Sequence, residues 1–472
     1  MNDRFRWKKM AILLWAGWLT GCSFIPDYHR PDQWKATSFK EDGIWRYAHP
    51  ADTESKGDWW TYYHDATLDK LENQVISGNF QLQAALQRYQ EATAFLTEQS
   101  AYLYPQINLI GGVTSNGQSS QRLYRSPVTP RVQGDMIGGV GTLYEIDFWG
   151  AIRSAIASAK AGAEASQAQV AYAELSLQAL LASSYVKLRG LDAEVKLLED
   201  TVKDYQHELD LMQQRHDVGI NSDLDVQRSR SLLEETKAQE AKIIGQRALY
   251  EHAVAVLVGE EPSRFSLVSD PQWIYKAQYG AIPATIPSVV LQRRPDIAAA
   301  ERAVVSANAQ IGVARTAFFP TISLGALVGY ENHATSGLLQ SPFSFWSVGP
   351  MAFYNIFDAG LRQAEVDRAT AKTRELTATY RQTVLTSFKE VEDNLSEIKN
   401  YGIDDEHQKQ AVAAAQITFK LANQRYIEGA SNYLDVIDAE TIQLRTEREE
   451  IYVRTALNQS VVDLVRSIGG SW

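Results

Sequence analysis

RHDVGINSDLDV (residues 215–226) returns 210 residues later as RYIEGASNYLDV (residues 425–436), and the shared frame is Arg-x3-Gly-x4-Leu-Asp-Val. The same offset relates Tyr144-x-Ile146-x3-Gly150 to Tyr354-x-Ile356-x3-Gly360. An offset of 215 relates Tyr104-Pro105-x-Ile107-x-Leu109 to Phe319-Pro320-x-Ile322-x-Leu324. Three matches in one order mark a duplicated unit. In each quoted stretch the glycine suits a helix stop, because it accepts the left-handed backbone that closes a last turn. Asn221 and Ser222 suit the cap of a following helix, with Asp223 and Asp225 in its first turn; Gly429, Ser431 and Asn432 repeat the arrangement. Each stretch reads as the turn of a helical hairpin.

Working outward, the periodicity changes in a fixed order. Leu68, Leu71, Val75, Leu82, Leu86 and Phe95 fall at helical spacings and predict a helix over 67–102, stopped by Pro105. Segments 106–118 and 134–149, rich in Gly, β-branched and aromatic residues, read as strands around a polar loop at 119–133. The second unit repeats this with helix 288–316, Pro320, strand 321–333, loop 334–343 and strand 344–357. A long helix follows from Ala151 to Val218. Its Leu188, Leu191, Val195, Leu198, Val202, Tyr205, Leu209 and Met212 alternate three- and four-residue spacings, a coiled-coil seam. Val384, Phe388, Val391, Leu395 and Ile398 form the shorter counterpart.

Length decides how these pieces combine. Helix 151–218 would be roughly 100 Å long at about 1.5 Å per residue, whereas its return, 222–258, covers only about 55 Å before Gly259 and Pro262. Helix 288–316 fits the remainder, and 67–102 completes return helix 431–468 in the same way. The leftover segments, 23–66, 259–287 and the last residues, fall at the junctions and predict a small equatorial belt. Strands of this length cross a membrane at barrel tilt, but four of them are too few to close a barrel. The chain must therefore oligomerise to hide its strand edges, as a dimer of eight strands or a trimer of twelve.

Composition narrows the chemistry. At 22% charged and 45% hydrophobic residues, the 472-residue chain is ordinary folded protein. Its net charge is −11, with no Lys/Arg-dense block after Lys9, which argues against nucleic acid as a partner. Cys22 is the single cysteine, so intrachain disulfides and cysteine metal clusters are excluded. Arg4, Arg6, Lys8 and Lys9 precede an apolar run, Met10 to Leu19, too short to span a bilayer stably. Leu19-Thr20-Gly21-Cys22 then resembles a bacterial lipobox, and Ser23 in place of Asp implies transfer to the outer membrane. The eight histidines are scattered without an His-x3-His pair, and neither a phosphate-binding G-x4-GK[ST] nor a G-x-S-x-G motif occurs. No metal site, no cofactor beyond lipid on Cys22 and no enzyme activity are expected. Five methionines, two of them in the leader, weigh against a copper or silver specialist. Trp59-Trp60 reads as belt packing.

The chain resembles the TolC-family outer-membrane efflux lipoproteins over essentially its whole mature length. The resemblance is carried by the lipobox, Asp58-Trp59-Trp60, Tyr144-x-Ile146-Asp147-x-Trp149-Gly150, Leu291-x-Arg293-Arg294-Pro295-Asp296-Ile297, Ile311-Gly312-x-Ala314 with Phe319-Pro320, and the two hairpin turns. It implies a mixed α and β membrane protein: a homotrimeric 12-stranded transmembrane β-barrel, four strands per chain, continued by a long α-helical coiled-coil periplasmic barrel with a mixed equatorial belt. The expected organisation is a signal peptide at 1–21, a lipidated N-terminus and equatorial segment at 22–66, a first repeat at 67–258 with its hairpin at 151–258, and an equatorial segment at 259–287. A second repeat at 288–468 follows, with its hairpin at 360–468, and a tail at 469–472. The implied partners are outer-membrane lipid, a periplasmic adaptor and an inner-membrane efflux transporter.

The same resemblance assigns residues. Asp435 and Asp438, three apart on one helix face, match entrance aspartates that form a cation-selective ring. Asp225 and Tyr426 match positions that hold the tip shut. The arginine expected two residues after the second-turn glycine is Ser431 here; Arg215 and Arg425 are the candidates to replace it, the alternative being that each caps its own helix C-terminus. Val218, Gly219 and Ile220, with Glu428, Gly429 and Ala430, match the adaptor-docking turns. The expected function is a passive exit duct for small toxic compounds or drugs, in a Gram-negative outer membrane. The alternative keeps the fold and changes the cargo to secreted protein or metal ions. A non-conducting coiled-coil tether is disfavoured by the strand pairs, and a hydrolase by the lack of a nucleophile–base set.

Overall fold

A computed structural model describes residues 23–30, 57–119, 121, 130–277, 294–333 and 339–470. The expected leader 1–21, the lipidation site Cys22 and the start of helix 288–316 lie outside the described residues. The elements run α1 (Ala66–Gly78), α2 (Phe80–Ala101), β1 (Asn108–Gly117), β2 (Val132–Glu145), α3 (Ala151–Asp217), α4 (Asp223–Leu257), α5 (Pro295–Thr316), β3 (Thr321–Asn332), β4 (Ser344–Phe353), α6 (Leu361–Ile427) and α7 (Tyr433–Ile468). The chain divides into two compact units.

The strand unit takes residues 1–31, 88–166 and 300–380. Its four strands form one antiparallel sheet in the order β1-β2-β3-β4. Pairing runs from Asn108 opposite Gly141 to Gly117 opposite Val132, and β2 meets β3 from Glu145 opposite Ser323 to Met136 opposite Asn332. Two glycines explain part of the composition. Gly139 sits opposite Gly329, and a Cβ on Gly329 would come within 2.5 Å of the Gly138 carbonyl oxygen. Leu109, Ile110 and Val113 on β1, and Trp346, Val348, Met351 and Phe353 on β4, are exposed apolar side chains of the outer strands.

The expected strand 134–149 ends early, at Glu145, because the residues after it serve α3. The Asp147 carboxylate accepts from Ile152 N at 3.1 Å and Arg153 N at 2.9 Å, capping the helix. Trp149 Nε1 donates to Pro320 O at 2.8 Å, and its ring stacks on Phe319 at 4.7 Å. Strand 344–357 is likewise shorter, ending at Phe353, and the Asp358 carboxylate accepts from Gly360 N and Arg362 N. Phe24 also stacks on Phe319, at 4.7 Å, and Asn308 Nδ2 donates to Pro26 O at 2.8 Å. The segment that follows Cys22 is thereby fixed to this unit.

The hairpin unit takes residues 32–87, 167–299 and 381–472. Its main core joins Trp59, Trp60, Leu68 and Leu71 to Leu181, Tyr185, Val254, Trp273 and Val462. The single helix expected over 67–102 is two helices. Asn79 takes an extended backbone, φ −74°, ψ 120°; its backbone N–H closes α1 on Val75 O, and its side chain caps α2 and bonds the end of α4. Its Oδ1 accepts from Gln81 N and Leu82 N at 2.8 and 3.0 Å, and its Nδ2 donates to Leu257 O at 2.7 Å. Of the six residues on the expected face, Leu68, Leu71, Val75 and Leu82 are buried, and Leu86 and Phe95 are exposed.

Along α3 the seam residues Leu188, Leu191, Leu198, Tyr205 and Met212 are buried, and Val384 and Val391 do the same on α6. Arg294 shows what part of the Arg-Arg-Pro-Asp-Ile stretch is for. The guanidinium is buried against Asp296 (2.7 Å), Glu390 (2.6 Å) and the Ser467 carbonyl (3.0 Å), so it pins the start of α5 to α6 and the end of α7. Removing one partner of such a pair strands the other in a low-dielectric site.

Candidate functional site

The two hairpin turns share one backbone. In the first, Gly219 N donates to His216 O and Ile220 N to Arg215 O, both at 2.8 Å. In the second, Gly429 N donates to Tyr426 O at 3.0 Å and Ala430 N to Arg425 O at 2.8 Å. The glycines have φ of +79° and +74°, and a Cβ on either would meet no atom within 4 Å. Backbone handedness, not crowding, therefore requires glycine there. Around them Val218, Ile220, Leu224, Ile427 and Leu434 are exposed, an unusual density of apolar side chains for turn residues. Glu428 and Ala430 are exposed beside them.

The caps differ. Ser222 and Asp225 form a reciprocal capping box, and the Ser222 hydroxyl also donates to the Asp225 carboxylate at 2.7 Å. In the second turn the Asn432 side-chain oxygen accepts from Asp435 N at 3.0 Å. Asp435 and Asp438 are both exposed, while Tyr433, Val436 and Ala439 on the opposite face of α7 are buried.

Behind the turns the two hairpins are tied within the chain. Arg215 Nη1 donates to the Tyr426 hydroxyl at 3.2 Å, and its guanidinium lies 5.5 Å from the Tyr426 ring centre. Asn221 Nδ2 lies 3.2 Å from the same hydroxyl and 2.8 Å from Met212 Sδ. The Tyr426 and Tyr433 rings are 5.5 Å apart, and the Tyr433 hydroxyl is 2.5 Å from Ser229 Oγ. Met212, Val226, Tyr433 and Val436 form the apolar floor of this cluster. Tyr433 ionises well above the usual phenol range, chiefly because burial disfavours the phenolate.

Of the residues singled out from sequence, Arg215 and Tyr426 meet. Asp225 turns to its own cap, and Arg425 is exposed, contributing its carbonyl to the turn. Ser431 Oγ is buried with no hydrogen-bond partner among the described residues. Asn221, at the same distance from its glycine as Ser431, was legible only as a cap; its amide reaches across to the second hairpin. Met212 was legible only as a seam residue. Among the described residues no group of three His, Cys, Asp or Glu side chains is placed to hold a metal, and no helix is long and apolar enough to cross a membrane.

Comparison with known proteins gives the same picture. The family model described as outer membrane efflux protein matches residues 71–260 and 286–470, one stretch per repeat. The chain is 29% identical over 459 residues to the cation efflux system protein CusC of Escherichia coli, covering 96% of each chain. It is 30% identical over 470 residues to the toluene efflux pump outer membrane protein TtgF of Pseudomonas putida, covering 96% of this chain and 95% of the other. Its fold matches the solved structure of the outer-membrane channel OprN with a TM-score of 0.83 and 27% identity, covering 96% of this chain and all of that one. With both repeats matched and the duplicated strand-and-hairpin architecture in place, the chain belongs to the outer membrane efflux protein family.

Proposed function

We propose that the chain is the outer-membrane exit duct of a tripartite efflux system. It would work as a homotrimer that passively conducts small toxic compounds delivered by an inner-membrane transporter through a periplasmic adaptor. The observation that carries this reading is the sheet. β1 and β4 each have one strand neighbour within the chain, and both carry exposed apolar side chains, among them Leu109, Val113, Trp346 and Phe353. Unpaired strand edges are untenable in a bilayer, so other copies must supply the missing partners. Three chains give twelve strands, within the range of closed membrane barrels.

The turns supply the periplasmic end. Three copies of Asp435 and Asp438 would form two carboxylate rings, which concentrate cations at the mouth. The exposed Val218, Ile220, Glu428 and Ala430, beside glycines that let another backbone approach, suit docking of an adaptor hairpin. Arg215 on Tyr426, with Asn221, is the latch that keeps each pair of hairpins together at rest. Acyl chains on Cys22 would tether the N-terminus, whose next residues lie against α5 and the Trp149–Phe319 stack.

Relatives are named for cation, toluene and solvent efflux, and the low methionine count weighs weakly against a copper or silver specialist. Met136, Met212 and Met351 are the only methionines after the leader, and the Met212 sulfur is taken by Asn221. With the lipobox and the Arg293-Arg294-Pro295-Asp296-Ile297 stretch, which favour the small-molecule branch, organic compounds are the proposed cargo, ahead of metal ions or protein. Growth of a deletion strain against dyes, antibiotics, solvents and metal salts tests this; selective sensitivity to metal salts would overturn it. Failure of the purified protein to form trimers and conduct would overturn the duct itself.

A further inference from the structure

Residues 265–276 of the equatorial segment touch both hairpins of their unit, but the first holds them far more firmly. Asp192, on α3, has a fully buried carboxylate that accepts from Arg189 Nη1 at 2.8 Å and from Arg247 Nε, on α4, at 2.7 Å. It also accepts from Asp270 N of the segment at 3.0 Å. The same arginines donate to the segment's backbone, Arg189 to Val268 O at 2.7 Å and Arg247 to Leu267 O at 2.8 Å. Glu251, 3.3 Å from Arg247, accepts from Leu267 N at 2.7 Å. Two arginines and two acids thus balance in charge, and all four side chains bond the backbone of residues 267–270.

The network continues beyond the segment. Arg189 Nη2 donates to the Tyr185 hydroxyl at 2.9 Å, which donates in turn to Asp65, the cap of α1. Trp273 Nε1 donates to the same Asp65 carboxylate at 2.8 Å, and its ring meets Tyr185 edge-on at 5.6 Å. To the second hairpin the segment offers the Tyr275 ring, 5.1 Å from the Arg454 guanidinium of α7. Arg454 is itself held by Glu450 at 2.8 Å and by Asp405 of α6 at 3.3 Å. A charge-balanced buried network resists partial disruption, because removing one member strands the others away from water. Arg454 stands about 30 Å along α7 from the second turn.

We propose that this network clamps residues 265–276 as the fixed end about which the hairpins move, so that Asp192 positions the distant contact between Arg215 and Tyr426. The role at the entrance rests on the exit-duct reading; the clamp on residues 267–270 does not. Arg215 and Tyr426 belong to different hairpins, and their hydrogen bond, already 3.2 Å long, tolerates little drift. Over an arm of about 30 Å, a tilt of about 2° at the fixed end moves the tip by about 1 Å, enough to break that bond.

The test uses the full-length purified protein in two measurements. Hydrogen exchange at the amides of residues 267 and 270 should accelerate by about tenfold or more in Asp192→Asn. Glu251→Ala, at a part-exposed site, should free the amide of residue 267 and serves if Asp192→Asn does not assemble. Both amides should stay protected in Arg215→Ala, because the hairpins move about the clamp without breaking it. Resting open probability in planar bilayers completes a double-mutant cycle. Arg215→Ala should raise it in either clamp variant by less than about half the factor seen in wild type, since a displaced contact has less to lose. Unchanged exchange in both clamp variants would overturn the clamp. Faster exchange at 267 and 270 in Arg215→Ala would overturn the fixed end. Faster exchange in the clamp variants with fully multiplicative effects on open probability would overturn the positioning of the entrance. Faster exchange in those variants with no current from wild type, even with an adaptor bound, would support the clamp and overturn the duct.

Discussion

The first and second hairpin turns superpose in motif and hydrogen bonding, yet their aspartates do different work. Asp225 and Asp435 occupy the same place, six residues after a left-handed glycine. Ser222 is short and has a hydroxyl to donate, so it draws the Asp225 carboxylate into a closed capping box. Asn432 caps with its amide oxygen alone, which leaves the Asp435 carboxylate exposed one turn from Asp438. The arginines divide too: Arg215 holds Tyr426, and Arg425 faces solvent. Equal sequence positions thus hold a capping acid and an arginine bonded to Tyr426 in the first turn, and an exposed acid with an exposed arginine in the second.

The arginines offer the largest test. Arg215→Ala removes a hydrogen bond from a charged donor and a cation–ring contact, worth about 1.5–3 kcal/mol together. Resting open probability in bilayers should rise by about tenfold or more, since ~1.4 kcal/mol is a factor of ten. Arg425→Ala should change it less than about twofold; equal effects would break the distinction. Next come the glycines. Alanine at 219 or 429 meets no clash but must hold a left-handed backbone, costing about 1–2 kcal/mol at either turn. Hydrogen exchange at the amides of residues 220 and 430 should accelerate alike, and a marked asymmetry would mean that one turn is held by something other than its backbone.

The caps are a smaller and sharper test. Ser222→Ala and Asn432→Ala should each cost about 1 kcal/mol in local protection by hydrogen exchange. Only the first releases a carboxylate, so only Ser222→Ala should increase cation selectivity. The smallest effect on stability belongs to Asn432→Ser, which replaces one good cap with another, within about 0.5 kcal/mol. It should still lower cation selectivity by offering Asp435 the hydroxyl that Asp225 already has.

The duplication, the strand-and-hairpin order and both turns were legible because each rests on local chemistry repeated twice. Glycine at a left-handed position, a cap two or three residues later and a heptad seam are decided within a few residues of chain. The break at Asn79 was missed because helical spacing runs through it; the side chain's second bond goes to the Leu257 carbonyl, 178 residues away. Strands 134–149 and 344–357 were overextended because Trp149 and Phe357 look like strand residues, whereas Asp147 and Asp358 beside them already serve as helix caps. The Arg215–Tyr426 contact was half legible. Arg215 and Arg425 are equivalent in the motif, and only the packing of α3 against α6 beside Tyr426 selects the first.

The most direct test of the account is single-channel current in planar bilayers for wild type, Asp435→Asn/Asp438→Asn and Asp225→Asn. Wild type should pass a small cation-selective current that multivalent cations block from the periplasmic side. The double variant should escape the block and Asp225→Asn should retain it. Escape by Asp225→Asn with block intact in the double variant would contradict the assignment of the acids. Absence of current from wild type, even with an adaptor bound, would contradict the duct.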